Sequence, residues 1–304
     1  LEQAFRKKAN EFDHIVKSGR THLQDAVPVR LGQEFLGYAV SLKKHRERTL
    51  QASESCKELG IGGTAAGTGL NAHPRYRSMI VKELSAQLNF DFRMAEDYFE
   101  AMQSLRPMVD LSGAVRSLAQ DLLRIANDLR LLSSGPKTGL AEITLPPVQP
   151  GSSIMPGKVN PVMAEMLDMV SFQVIGCDTT VLLAAQAGQL ELNVMMPVVA
   201  WNLLHEIEIL GTSLDVFSRF CVEGITANED RCRMYAEGSM SVVTVLNPHI
   251  GYAKAAEVAK EYLSSGKSIR EIVQERGLLS KEKLNEVFNL GAMTEPGIHG
   301  KKNI

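Results

Sequence analysis

Beyond Pro161 the chain runs to Ala187 with apolar side chains on every side of a helical wheel. Met166, Met169, Val170, Phe172, Val174 and Ile175 leave no consistently polar face. A helix that is apolar all round must be covered on all sides, and in a soluble protein that places it at the centre of a bundle. Glu165, Asp168, Asp178 and Glu191 interrupt the most apolar region, 163–199. No uninterrupted stretch reaches the ~20 apolar residues of a membrane span, so no membrane partner is expected.

The flanking segments carry helical period as well. Over 98–132, Leu105, Val109, Val115, Leu118, Leu122, Ile125, Leu129 and Leu132 recur at helical spacing, and Ser133-Ser134-Gly135-Pro136 stops the run. Helices are also predicted over 1–16, 32–50, 74–88 and 198–222. From 228 onward the pieces shorten to 231–239, 250–264, 268–275 and 281–288, with Ser268 and Ser280 in N-cap positions. No convincing strand and no internal repeat is visible. The pattern predicts an all-α fold, a long central helical bundle over 1–229 followed by a small C-terminal helical domain over 230–304. The chain opens with Leu1 in what reads as mid-helix, so a truncated or cleaved chain is expected.

Composition narrows the function classes. The 304 residues include 44% hydrophobic and 6% aromatic side chains, enough for a large core and leaning towards helix. A formal net charge of -2 gives no electrostatic case for nucleic acid. Cys56, Cys177, Cys221 and Cys232 form no CxxC pair and no zinc-like spacing, and they read as reduced thiols of a cytoplasmic protein. Residues 1–10 carry charges and no apolar signal-peptide core. The glycine-rich stretch 60–69 lacks a following Walker lysine and a preceding strand pattern, so a tight turn between helices is expected there.

Chemistry concentrates in the segment 151–161, Gly-Ser-Ser-Ile-Met-Pro-Gly-Lys-Val-Asn-Pro. Ser152, Ser153, Lys158 and Asn160 lie on a Gly/Pro-interrupted loop that feeds into a helix, with Asn160 expected as N-cap and Pro161 as first residue. Helix-terminal N–H groups and the Lys158 ammonium favour an anion such as a carboxylate. A serine beside that charge loses its proton more easily. The residues alone leave two readings open: this anion site, or a capped loop with a solvated lysine.

The string 151–161 resembles the signature loop of the aspartase/fumarase superfamily, in the form carried by the aspartase and class II fumarase branch. Residues 19–28 (Gly-Arg-Thr-His-Leu-Gln-Asp-Ala-Val-Pro) and 63–71 resemble two further family blocks. The likeness continues through Asn127-Asp128-Leu129-Arg130, Glu191-Leu192-Asn193-Val194 and Leu246-Asn247-Pro248-His249, and covers essentially the whole chain in order.

The resemblance implies a lyase that reversibly eliminates a small group from a four-carbon dicarboxylic acid to give fumarate. It implies Ser152 as the base and His22 near the leaving group. Thr21, Ser153, Lys158 and Asn160 would bind substrate carboxylates. Glu165 would serve as a relay to the histidine, though it equally suits a helix N-terminus. Local choices at 145–150, 187–191 and 293–297 favour ammonia from L-aspartate as the reaction, with water from L-malate as the alternative. The resemblance further implies a homotetramer with active sites shared between subunits, and no obligatory cofactor or metal, with divalent-metal activation left open. Family enzymes carry a further N-terminal region that holds part of each site. None stands before Leu1, so weak activity or a catalytically silent oligomeric fragment is also an expectation.

Overall fold

The computed structural model describes residues 1–151 and 154–300. Its first half contains α1 (Glu2–Glu11), β1 (Val16–Thr21), β2 (Gln24–Arg30), α2 (Leu31–Ser55), β3 (Glu58–Leu59), α3 (Tyr76–Leu88), β4 (Arg93–Met94), α4 (Tyr98–Gln103) and α5 (Arg106–Leu132). There follow β5 (Ile143–Thr144), α6 (Val162–Ala185), α7 (Met196–Phe220), β6 (Thr226–Ala227), α8 (Glu229–Gly238), α9 (Asn247–Ile250), α10 (Tyr252–Ser265), α11 (Ile269–Glu275) and α12 (Lys281–Val287). The fold is helical, as the periodicity leads one to expect, with three two-stranded sheets among the described residues.

One compact unit comprises Leu1–Glu2, Val40–Arg130 and Pro147–Cys221. Its frame is α5, α6 and α7. On α7 the buried residues Val199, Leu203, Glu206, Leu210, Ser213 and Phe217 alternate by fours and threes, a seam of 3.5-residue period. On α5 the buried Val115, Ala119, Leu122, Ala126 and Leu129 follow the same rule. Val181, Ala184, Val199 and Leu203 cluster, with Leu105, Met108, Val109 and Leu111 packed against them. Asn193 makes the turn between α6 and α7. Fully buried, it donates from Nδ2 to the carbonyls of Ala184 and Ala185 at 3.1 and 3.0 Å, and its Oδ1 accepts from Met195 N–H at 2.8 Å. One side chain thus ties two carbonyls in the last turn of α6 to a donor at the start of α7.

The helix predicted over 98–132 is broken. Ser104 is extended (φ -94°, ψ 121°) and closes α4 with a 2.8 Å bond to the Glu100 carbonyl. Its hydroxyl accepts from Arg106 N–H at 3.3 Å, and Pro107 then takes a first-turn position in α5. The glycine-rich segment 60–69 is a braced turn. Arg77 donates to the Gly62 and Gly67 carbonyls at 3.1 and 2.8 Å, and its guanidinium lies 3.8 Å from the Tyr98 ring centroid.

The other unit comprises Gln3–Ala39, Leu131–Pro146 and Val222–Ile304. Phe5, Phe12, Phe35 and Tyr38 pack edge to face or tilted at centroid distances of 5.1–5.8 Å. A second core joins Val242, Leu246, Val258, Ile272, Val273 and Val287. Ser268 and Glu271 form the reciprocal capping box of α11, and Ser280 caps α12, as the sequence predicts. The prediction of a first helix to residue 16 and of no convincing strand is corrected: α1 stops at Glu11, and β1 and β2 form an antiparallel hairpin.

Candidate active site

Thr21 and His22 stand at the tip of that hairpin. Thr21 pairs with Gln24, leaving His22 and Leu23 as a two-residue loop, both with positive φ (54° and 59°). That is type I′ turn geometry, which matches strand twist but normally calls for Asn or Gly. Two L side chains held there carry strain of order 1 kcal/mol each, compensated elsewhere in the hairpin.

The compensation lies at the hairpin's base. Glu142 is fully buried and takes Arg20 Nη1 on both carboxylate oxygens at 3.0 and 2.9 Å. Lys17 Nζ, also buried, lies 3.2 Å from Glu142 and 2.7 Å from Glu34. At Gly19 the register shifts, and a β-carbon would come within 2.7 Å of the Val27 carbonyl oxygen, so only glycine lets the strands close there. The tip is therefore exposed but its root is locked.

Lys158, Asn160 and Glu165 belong to the unit built on α5, α6 and α7. Lys158 is exposed and Asn160 half-buried. A turn closes from Lys158 N–H to the Met155 carbonyl at 3.2 Å, with Gly157 at φ 81°. Gly151 packs so tightly on the Lys158 carbonyl that a methyl group would overlap it. The expected cap is corrected. Pro161, not Asn160, occupies the N-cap position of α6, and it has no side chain able to accept a hydrogen bond. Asn160 instead accepts on its carbonyl from Val162 N–H at 2.9 Å. Its side chain does not cap the helix, and among the described residues no side chain caps the positive end of α6. Glu165 lies in the first turn, 3.7 Å from Arg130.

Thr21 and His22 thus fall in one unit and Lys158, Asn160 and Glu165 in the other. Ser152 and Ser153 lie outside the described residues. Sequence reading missed the locking residues Lys17, Arg20 and Glu142; the only local trace was Arg20 inside the block 19–28. Among the described residues, no group of three or more His, Cys, Asp or Glu side chains converges as metal ligands would. A cavity of about 340 Å³ beside β2 is lined by Val27, Val245, Met293 and Ile298 together with Ser241, Thr244, Glu295 and His299, and the Glu295 carboxylate there would repel a dicarboxylate.

Comparison with known proteins decides the family. The sequence pattern described as "Lyase" matches residues 1–176, and "Fumarase C C-terminus" matches 242–295. This chain belongs to the aspartase/fumarase superfamily of lyases. It is 51% identical to the aspartate ammonia-lyase of Helicobacter pylori over 97% of its own length and 63% of that protein's. It is 43% identical to the class II fumarate hydratase of Staphylococcus epidermidis, over 97% of this chain and 64% of that one. The structure of a fumarate lyase:delta crystallin from Brucella melitensis bound to cobalt superposes with a TM-score of 0.94 at 44% identity, covering 97% of this chain and 64% of that one. The superfamily chain described above therefore spans somewhat under two thirds of the length of the relatives it matches.

Proposed function

We propose that the chain works as part of an aspartate ammonia-lyase, converting L-aspartate reversibly to fumarate and ammonia. The observation that carries this reading is the start of α6, where an exposed Lys158, an Asn160 side chain free of capping duty and an uncapped helix end together favour a carboxylate. In the scheme, Ser152 removes a proton from the carbon next to one carboxylate. The electron pair moves into that carboxylate, giving an aci-carboxylate dianion held by Lys158, Asn160, Thr21 and Ser153. The pair then returns to form the double bond as the C–N bond breaks, and His22, coupled to Glu165, attends the departing amine.

The choice of ammonia over water is supported by the higher identity to the Helicobacter pylori aspartate ammonia-lyase. The class II fumarate hydratase of Staphylococcus epidermidis, 43% identical over nearly the whole chain, keeps hydration of fumarate as the second reading. We further propose a homotetramer with shared sites, because α6 and α7 leave Met169, Phe172, Leu183, Trp201 and Leu204 more than half exposed. A catalyst of this kind needs no cofactor and no obligatory metal, and four free cysteines fit a cytoplasmic setting. The test is fumarate absorbance from L-aspartate and from L-malate offered separately. Fumarate from L-aspartate alone supports the ammonia-lyase, fumarate from L-malate alone the hydratase, and silence with both leaves this chain as a non-catalytic member of its family.

A further inference from the structure

Two carboxylates on the first turns of α6 converge on one guanidinium from α5. Arg130 donates from Nη1 to Asp168 Oδ2 at 2.8 Å and brings Nη2 to 3.7 Å from Glu165 Oε1. Nη1 also reaches Asn127 Oδ1 at 3.0 Å, three residues back on its own helix. Asp168 is 5% exposed, and its Oδ1 has no hydrogen-bond partner among the described residues. Burial pushes its pKa up even against the pull of Arg130. A carboxylate in that position depends on its counterion, and breaking such a pair from one side is costly.

The same helix start lacks a side-chain cap. Such a start forgoes the hydrogen bond that a Ser, Asp or Asn cap supplies, and its first turn is prone to fray. Yet this turn carries the loop that precedes it. Val162 N–H bonds the Asn160 carbonyl at 2.9 Å, and Ala164 and Glu165 N–H bond the Pro161 carbonyl at 3.0 and 3.1 Å. Whatever holds Glu165 and Asp168 therefore holds Asn160 and, two residues earlier, Lys158. The planar fork of an arginine suits a grip on two carboxylates, and a lysine point charge does not.

We propose that Arg130 is a positioning residue for the substrate site: gripping Asp168 and Glu165, it takes the place of a helix cap and fixes where Lys158 and Asn160 stand. The inference rests on the lyase reading of those two residues. Arg130 itself touches no substrate in this scheme.

The test compares the full chain with Arg130→Lys, Arg130→Met and the near-isosteric Asp168→Asn. Two readouts are taken: amide hydrogen exchange over 158–168, and the KM and kcat for fumarate formation from L-aspartate. Arg130→Met and Asp168→Asn are expected to speed exchange over 158–168 roughly tenfold, the equivalent of about 1.4 kcal/mol, while α7 keeps its protection. KM rises about tenfold with a smaller fall in kcat, since the lost function is carboxylate binding. Arg130→Lys, able to serve Asp168 but not both partners, falls between. Unchanged exchange over 158–168 in both Arg130→Met and Asp168→Asn overturns the proposal, and faster exchange with unchanged KM reduces Arg130 to a stability contact and overturns it equally. A parent chain that makes no fumarate from L-aspartate or L-malate sinks the lyase reading instead, and the exchange result then decides the anchoring on its own.

Discussion

Glu206 on α7 faces Ser112 on α5, both fully buried, and among the described residues neither the two carboxylate oxygens nor the hydroxyl completes a sound hydrogen bond. Burial is the main cause that pushes the Glu206 pKa up to about 7; the Ser112 hydroxyl opposes this and the Asp178 charge adds to it. Arg116, 3.1 Å from Asp178, is spent on that partner.

The pH dependence follows from that raised value. Below about 4.5 the carboxyl is protonated whether the chain is folded or not, and it carries no ionisation penalty. Between about 4.5 and 7 the folded state holds the proton more tightly than the unfolded state, so stability falls as pH rises. Above 7 the full penalty is present, of order 3 kcal/mol at about 1.4 kcal/mol per pH unit. Glu206→Gln cannot ionise, so its melting temperature should gain on the parent steadily from pH 5 to 7.5 and then level off. Melting curves that stay parallel across that range would show that Glu206 does not titrate there.

The buried charges beneath the hairpin give a second expectation. Glu142→Gln leaves the buried Lys17 and the half-buried Arg20 with reduced compensation, and breaking such a network from one side costs about 3–5 kcal/mol. A urea midpoint shifted by less than the equivalent of 1 kcal/mol would rule the network out as the hairpin's anchor.

These two features differ in how far the sequence announces them. The apolar α6 and the caps at Ser268 and Ser280 were legible because their signals are local: period, propensity and a cap within a few residues. The hairpin was hidden because β1 buries Lys17 and Ser18 rather than apolar residues, and because His22-Leu23 is not the Asn-Gly pair that marks a type I′ turn. The break between α4 and α5 was hidden because apolar period runs straight through Leu105. Of the candidate site, the loop motif was legible as resemblance. Its supports were not, since Arg20 meets Glu142 across 122 residues and Arg130 meets Asp168 across 38.

His22 sets stability against chemistry. Asn accepts the left-handed conformation more readily than His, so His22→Asn should relax the turn and raise stability by about 0.5–1 kcal/mol. The same change removes the imidazole proposed to attend the leaving group, and turnover should fall by about 100-fold or more if that group moves a proton. A variant both more stable and fully active would take His22 out of the reaction.

The exposed face of α6 and α7 carries the last expectation. Trp201 is 72% and Leu204 67% exposed on α7, and Phe172 is 61% exposed on α6, whereas single scattered apolar residues would need no explanation. So many large apolar side chains exposed on two helices that pack together call for a cover, and a second copy of the same helices offers one of matching chemistry. A charge placed in such a seam has no partner in any symmetric copy, because each subunit brings the same sign to the same place. Trp201→Glu combined with Leu204→Glu should therefore lower the mass measured by light scattering from that of the proposed four chains towards one. The core residues Val199, Leu203 and Leu210, which point the other way, keep the helix folded. A parent chain that already scatters as a single chain would remove the tetramer from the scheme, and with it the sharing of active sites between subunits.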